Sequence, residues 1–332
     1  MSGAALDRLL AFLVAALLVT GLVSLRAGTP STAPLFVIHG LLGGSLLAAI
    51  FVKLRRSVPR AAGGRRWGPL CLALLLALLA SAALAGGFLW VASGRILVVG
   101  PWTVLTLHVW AALALVPILA WHLMPRRWRL LRLPSRGRSE RISRRTALGF
   151  LGFASVGLAA WVAANVIERA TGGLRRFTGS RWLPDGGVPP PTTFFGEGAP
   201  PLDAAAWRLR VDGAVRRPLQ LSMGDLASMG QVNREAVLDC TSGWALRTTW
   251  HGVPLGAVVS RSQPDDDAGT VTVHSATGWF ARLPMEEARR AMLATGVAGQ
   301  PLPLGNGAPC RLVAEDRRGL EWVKWVTRIE VS

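Results

Sequence analysis

The stretch VLDCTSGWALRTTWHGVPL, Val237 to Leu255, sets Cys240 between an aspartate and a Thr-Ser-Gly turn. The chain has three cysteines, and the other two have different surroundings. Cys71 lies in an apolar run, and Cys310 heads the apolar segment CRLV, where it reads as a small core side chain. Cys240 has polar neighbours, and Gly243 lets the backbone approach a bulky group. That setting suits a metal-ligating thiolate or a nucleophile. A Cys240–Cys310 disulfide is the competing reading, since an even pair in an oxidising compartment can close.

N-terminal to this region the composition changes. The chain is 51% hydrophobic with a formal charge of +18. The charge is concentrated in loops. Lys53, Arg55, Arg56, Arg60, Arg65 and Arg66 form one basic cluster, and residues 126–145 carry nine arginines against Glu140. Residues 168–332 hold 19 basic and 17 acidic side chains, nearly neutral. A folded basic patch of the kind a phosphate backbone needs is therefore missing, which excludes nucleic acid as a partner.

Five apolar runs, about Leu6–Leu25, Pro34–Val52, Leu70–Ala92, Pro101–Met124 and Thr146–Ile167, each approach the ~20 residues that cross a hydrocarbon core. They predict five transmembrane helices. The basic loops follow the second and fourth runs, so the positive-inside rule places the N-terminus in the cytoplasm and everything after Ile167 outside. In a bacterial cell (inner) membrane this makes the C-terminal part periplasmic. The fifth run begins ISRRTALGFLG, Ile142–Gly152, which resembles a twin-arginine export signal with Arg144 and Arg145 paired and Ala147 where that motif usually has Phe. The resemblance implies the twin-arginine export machinery as a partner; positive-inside charge explains the same arginines.

Three histidines fall inside the spans: His39, His108 and His122. Ionisable or ligating residues in lipid are costly and become functional candidates. His39 and His108 sit at similar depth near the outer face, as two axial imidazoles of a haem b between helices would. Gly40, Gly43 and Gly44 leave room for a macrocycle or serve helix packing. His122 lies about 21 Å lower on nearly the same face of its helix. Its counterpart on the second span is Lys53, so an inner haem lacks a ligand. This arrangement resembles membrane cytochromes b of the ferric reductase kind.

Beyond the spans, residues 184–201 hold six Pro and four Gly, which predicts an extended arm. WRLRVDGAV (Trp207–Val215), TVTVHSATGWFARL (Thr270–Leu283) and CRLVAEDRRGLEWVKWVTRIEV (Cys310–Val331) read as strands broken by Gly-containing turns, and MGDLASM and MEEARRAML as short helices. His274 reads as a partly buried strand residue and His251 as a loop side chain. The expected division is a four-helix membrane bundle over 1–125, a basic loop and fifth helix over 126–167, a linker over 168–201 and a folded domain over 202–332.

LDCTSGWALRTTWHGVPL, LPLGNGAPCRLV and GLEWVKWVTRIEV, in this order, resemble the molybdopterin-binding domain of the sulfite oxidase superfamily, and most of all its bacterial periplasmic branch of methionine sulfoxide reductase catalytic subunits. The resemblance covers roughly Phe194–Ser332. It implies an α+β mixed-sheet domain after the all-α transmembrane bundle, with Cys240 as the protein's ligand to molybdenum and catalytic centre. It further implies that Asn306, Arg311, Trp322, Val323 and Lys324 bind the molybdopterin or its phosphate, with Ser275 contributing from a neighbouring strand. Arg311 as a planar fork and Lys324 as a point charge suit a phosphate, and Asn306 can both donate to and accept from a pterin edge.

Two departures limit the substrate. The chain has no Tyr, whereas sulfite oxidases proper carry an active-site Tyr, and Thr241-Ser242-Gly243 differs from the turns of its relatives. The expected function is oxygen-atom transfer on a small-molecule or peptidyl S-oxide or N-oxide, with electrons exchanged with the membrane quinone pool through haem b. Oxidation of a small sulfur compound is the alternative direction. A thiol oxidoreductase using Cys240 as nucleophile and a membrane-anchored binding module with an empty cofactor site are the other readings.

Overall fold

The structure, a computed structural model, describes residues 1–64, 67–124, 144–192 and 198–332. The chain divides into two compact units, one of residues 1–24 with 30–179 and one of residues 25–29 with 180–332.

The first unit is built from α1 (Gly3–Ser24), α2 (Ala33–Gly63), α3 (Trp67–Ala92), α4 (Val104–Leu123) and α5 (Arg144–Ala170), with a two-residue hairpin of β1 (Val98–Val99) and β2 (Trp102–Thr103) before α4. All five helices are long and apolar enough to cross a membrane. Their outward faces agree with a lipid surround: Phe12, Phe51, Leu78 and Leu148 are more than half exposed, an arrangement water would disfavour. Leu6, Leu13, Leu46 and Ala49 form the buried centre between α1 and α2. Thr103 caps α4 by accepting from the Thr106 main chain at 3.1 Å. At the other end of the bundle Lys53 pairs with Asp7.

The glycines beside His39 are packing positions. A Cβ at Gly44 would stand 2.8 Å from Gly157 Cα, and one at Gly40 would meet the Trp161 ring at 2.8 Å. Close approach of α2 and α5 therefore uses the space the sequence also allowed for a macrocycle. Arg144 and Arg145 open α5 and are exposed. Ile142, Ser143 and most of the second basic loop lie outside the described residues.

The second unit contains two sheets. Its strands are β3 (Arg181–Trp182), β4 (Leu209–Gly213), β5 (Leu219–Leu221), β6 (Val232–Asp239), β7 (Trp244–Pro254), β8 (Thr270–Ser275), β9 (Phe280–Pro284), β10 (Met292–Val297), β11 (Gln300–Pro301), β12 (Arg311–Val313) and β13 (Val326–Val331). One sheet runs β11-β10-β7-β3, with β12 on β10 and β6 on β7; the other runs β5-β4-β13-β8-β9. Pairing is antiparallel except for β13 with β4 and β3 with β7, so the domain is mixed. Short helices α6 (Met223–Ser228), α7 (Leu255–Arg261) and α8 (Met285–Arg290) join the strands. Ser222 and Asp225 close a capping box on α6.

The expected mixed-sheet domain after an apolar helical bundle is what the chain forms. Cys310–Val331 is, as expected, two strands broken by a turn; β12 pairs with β10 in one sheet and β13 with β4 and β8 in the other, so this stretch crosses between the two. Two local expectations change. Glu168–Ala170 end a helix, and Arg181–Trp182 form an edge strand against Trp244–Ala245, so parts of the expected linker are regular structure. His251 lies within β7, opposite Asn233, and bonds that side chain at 2.9 Å.

Candidate functional site

Cys240 sits where β6 turns into β7. The alternation of β7 sends Trp244, Leu246 and Trp250 inward and Arg247 and Thr249 outward, and β6 pairs with it from Val232 to Asp239. This hairpin holds the turn at both ends. The Cys240 main-chain N–H donates to Trp244 O at 2.8 Å, and the Gly243 N–H returns to Cys240 O at 3.0 Å. Gly243 has φ of +100°, which its lack of a side chain permits. Thr241 and Ser242 are buried while Cys240 keeps partial exposure.

The sulfur receives the Ser242 main-chain N–H at 3.4 Å. Burial pushes the Cys240 thiol up; the Ser242 hydrogen bonds and the Arg318 charge pull it down, and Asp239 pushes it up again. All three cysteines are free thiols, and Cys310 is wholly buried, so the disulfide reading does not describe this protein's fold.

The segment NGAPCR brings Asn306 and Arg311 together. Asn306 ends a 3-10 turn, is 2% exposed, and donates through Nδ2 to Pro189 O at 2.8 Å. Arg311 donates to Asn306 O at 2.9 Å and Trp322 O at 3.3 Å, lies 5.1 Å from the Trp250 ring centre, and leaves Nε buried without a partner. Burial lowers its guanidinium to about 10, partly offset by Cys240, so it remains a cation at neutral pH. Lys324 reaches the same turn, donating to Gly305 O and Thr192 O at 2.8 Å each.

Trp322 and Val323 are each 1% exposed and belong to the core. Their side chains pack, and whatever they offer a ligand comes through the main chain. Ser275 ends β8 and bonds Thr277 Oγ1 at 2.9 Å; the adjacent Ala276 N–H donates to Trp325 O, and the Trp325 N–H to Gly307 O. Ser275 is thereby tied through Trp325 to the Asn306–Gly307 turn. His274 instead bonds Glu330 at 2.9 Å.

In the helical unit the His39 and His108 ring centres are 6.1 Å apart with planes at 81°. His39 Nδ1 bonds Thr20 Oγ1 at 2.8 Å and His108 Nδ1 lies 2.6 Å from Ala83 O, so each ring has its Nδ1 engaged. Among the described residues no cluster of three or more His, Cys, Asp or Glu is arranged to hold a metal ion.

Sequence reasoning passes over Ser180, Asp239 and Arg318, which surround the Cys240 main chain. Asp239 is adjacent to the cysteine, and the Arg317-Arg318 pair precedes a glycine, but their meeting is a long-range contact that no local pattern encodes.

Residues 197–332 match the family described as oxidoreductase molybdopterin binding domain. The chain is similar to the protein-methionine-sulfoxide reductase catalytic subunit of Xanthomonas axonopodis pv. citri, 33% identical over 147 residues, which are 39% of this chain and 45% of that protein. It is 29% identical over 133 residues to an uncharacterized oxidoreductase of Bacillus subtilis, covering 39% of this chain and 67% of the relative. Among solved structures the sulfane dehydrogenase SoxCD of Paracoccus pantotrophus matches 40% of each chain at 26% identity with a TM-score of 0.39. The chain thus spans about half the length of the reductase subunits it matches. Residues 197–332 are thus similar to the molybdopterin-binding domains of this oxidoreductase family.

Proposed function

We propose that this chain is a membrane-anchored molybdenum-dependent oxidoreductase that reduces an S-oxide or N-oxide. Its electrons come from membrane quinol through a haem b held by His39 and His108. On this reading the N-terminus is cytoplasmic and the cofactor domain periplasmic, in a bacterial cell membrane, with Arg144 and Arg145 read by the twin-arginine export machinery.

The observation that carries the proposal is Cys240, a partly exposed thiol on a turn fixed at both ends, with the Ser242 N–H on its sulfur. A soft thiolate with a main-chain donor suits a soft metal. The residues also fit the anionic part of the cofactor. Arg311 keeps an unpartnered buried Nε, and Lys324 spends hydrogen bonds on two carbonyls that leave its charge in place. When bound, the molybdenum centre supplies two-electron oxygen-atom transfer. In each turnover the S–O or N–O bond breaks, two electrons and two protons enter, water leaves, and one quinol becomes quinone.

The chain's own groups orient and enclose. Asn306 presents a neutral donor and acceptor beside Arg311, and Ser275 would add a hydroxyl from the end of β8. Thr241 and Ser242, which follow the cysteine, would line the substrate side of the thiol and offer the oxide hydroxyl and main-chain donors.

The haem proposal rests on the two imidazoles. Each has Nδ1 engaged, leaving Nε2 as the ligating atom, the tautomer control that metal-bound histidines use. With ring centres 6.1 Å apart, His39 and His108 would be the residues to hold a haem b, which when bound would supply one-electron transfer.

Membrane vesicles containing the full chain, supplied with a quinol and methionine sulfoxide or dimethyl sulfoxide, test the activity. One sulfide formed per quinol oxidised supports it. Inactivity on S-oxides and N-oxides, with quinone reduced at the expense of a small sulfur compound, would reverse the direction.

A further inference from the structure

The Cys240 carbonyl oxygen accepts from two groups. The Gly243 N–H donates at 3.0 Å and Arg318 Nη2 at 3.2 Å, and Ser180 Oγ lies 3.4 Å away. The last two are joined below the turn by Asp239, whose Oδ1 takes the Ser180 hydroxyl at 2.6 Å and lies 3.4 Å from Arg318 Nε. Ser180, Asp239 and Arg318 are 0%, 1% and 3% exposed. They come from three places in the chain: the segment leading into β3, the end of β6, and the crossing between sheets.

Stability alone is a poor reason for this arrangement. A buried ion pair costs as much desolvation as it returns, and well-packed apolar side chains often do as well. Its distinct consequence is geometric and electrostatic. It fixes the main chain of the one residue whose side chain would hold the metal, and it places a buried guanidinium beside that thiol. The approach needs Gly319, where a Cβ would stand 3.2 Å from both Cys240 Cα and Asp239 O. A larger residue there would push the Arg318 segment away from the turn.

We propose that Arg318, held by Asp239 and Ser180, is a positioning residue for the metal-ligating sulfur of Cys240, fixing its direction and holding the centre at a higher reduction potential. The proposal rests on the reading of Cys240 as the molybdenum ligand. A fixed cation stabilises the more negative, reduced form of a nearby redox centre, and groups around a ligand tune the metal it binds. The residue acts through Cys240 and touches no substrate.

The test uses the purified full-length holoenzyme as wild type, Arg318→Met and Arg318→Lys. Molybdenum content, the Mo(V) electron paramagnetic resonance spectrum and the Mo(VI)/Mo(V) midpoint potential are measured for each. Arg318→Met is expected to shift the spectrum and lower the potential. Arg318→Lys keeps the charge but loses the fork, and should return the potential towards wild type with the spectrum still shifted. Wild-type spectrum and potential in Arg318→Met would overturn the proposal. If that variant holds no molybdenum, Arg318→Lys decides: a shifted spectrum upholds the proposal and a wild-type one overturns it. A wild-type protein without molybdenum would overturn the ligand reading itself and this proposal with it.

Discussion

Gly307 packs against Lys324 so closely that a Cβ at Gly307 would stand 3.0 Å from Lys324 Cα and 3.1 Å from Arg311 Cβ. Its φ of +110° also excludes an ordinary L side chain. Gly307→Ala should therefore cost about 1–3 kcal/mol in strain and spread the two cations apart. The expected outcome is a lower thermal midpoint and reduced molybdenum retention through gel filtration. Full retention would show that the Arg311–Lys324 spacing is unimportant to cofactor binding.

Packing between α2 and α5 gives a second prediction. A Cβ at Gly157 would stand 2.4 Å from Leu41 O, whereas one at Gly152 meets nothing within 4 Å. Gly157→Leu should destabilise the detergent-solubilised protein by roughly 1–3 kcal/mol or more, as overpacking does. Gly152→Ala should leave its melting temperature almost unchanged, and equal effects from the two would remove the packing argument.

The buried Cys310 thiol couples stability to alkaline pH. Burial pushes it up to about 12, above its value in an unfolded chain. The folded state therefore keeps a proton that the unfolded state loses, and the stabilisation is complete below the unfolded value. It declines by about 1.4 kcal/mol per pH unit between the two values. Tryptophan-monitored thermal midpoints from pH 8 to 10.5 should fall, and fall less steeply in Cys310→Ala. Parallel curves for the two proteins would contradict this.

For the helical unit, the haem proposal expects His39→Ala and His108→Ala each to abolish a reduced-minus-oxidised b-type spectrum while leaving molybdenum content intact. Survival of that spectrum in either variant would remove the haem assignment.

The legible and illegible parts of the sequence divide along physical lines. The five long helices are readable because each is an unbroken apolar run, and the β8–β9 hairpin because its alternation is closed by a glycine turn. The proposed cofactor-binding residues come from NGAPCR and WVKW by resemblance, and the fold brings Asn306, Arg311 and Lys324 to one turn. Arg311–Val313 and Val326–Val331 could not be assigned to separate sheets, because strand periodicity does not identify a partner. Ser180 and Arg318 converge on Cys240 from 60 and 78 residues away, a contact that only the folded chain creates. His251 is a strand residue because the alternation that starts at Trp244 runs on to Pro254.

Molybdenum content of the purified full-length protein, compared with Cys240→Ser, tests the central claim most directly. The account expects about one molybdenum per wild-type chain, carried by a single protein thiolate, and essentially none in Cys240→Ser. A metal-free wild-type protein, or one whose molybdenum survives the loss of the Cys240 sulfur, would contradict it.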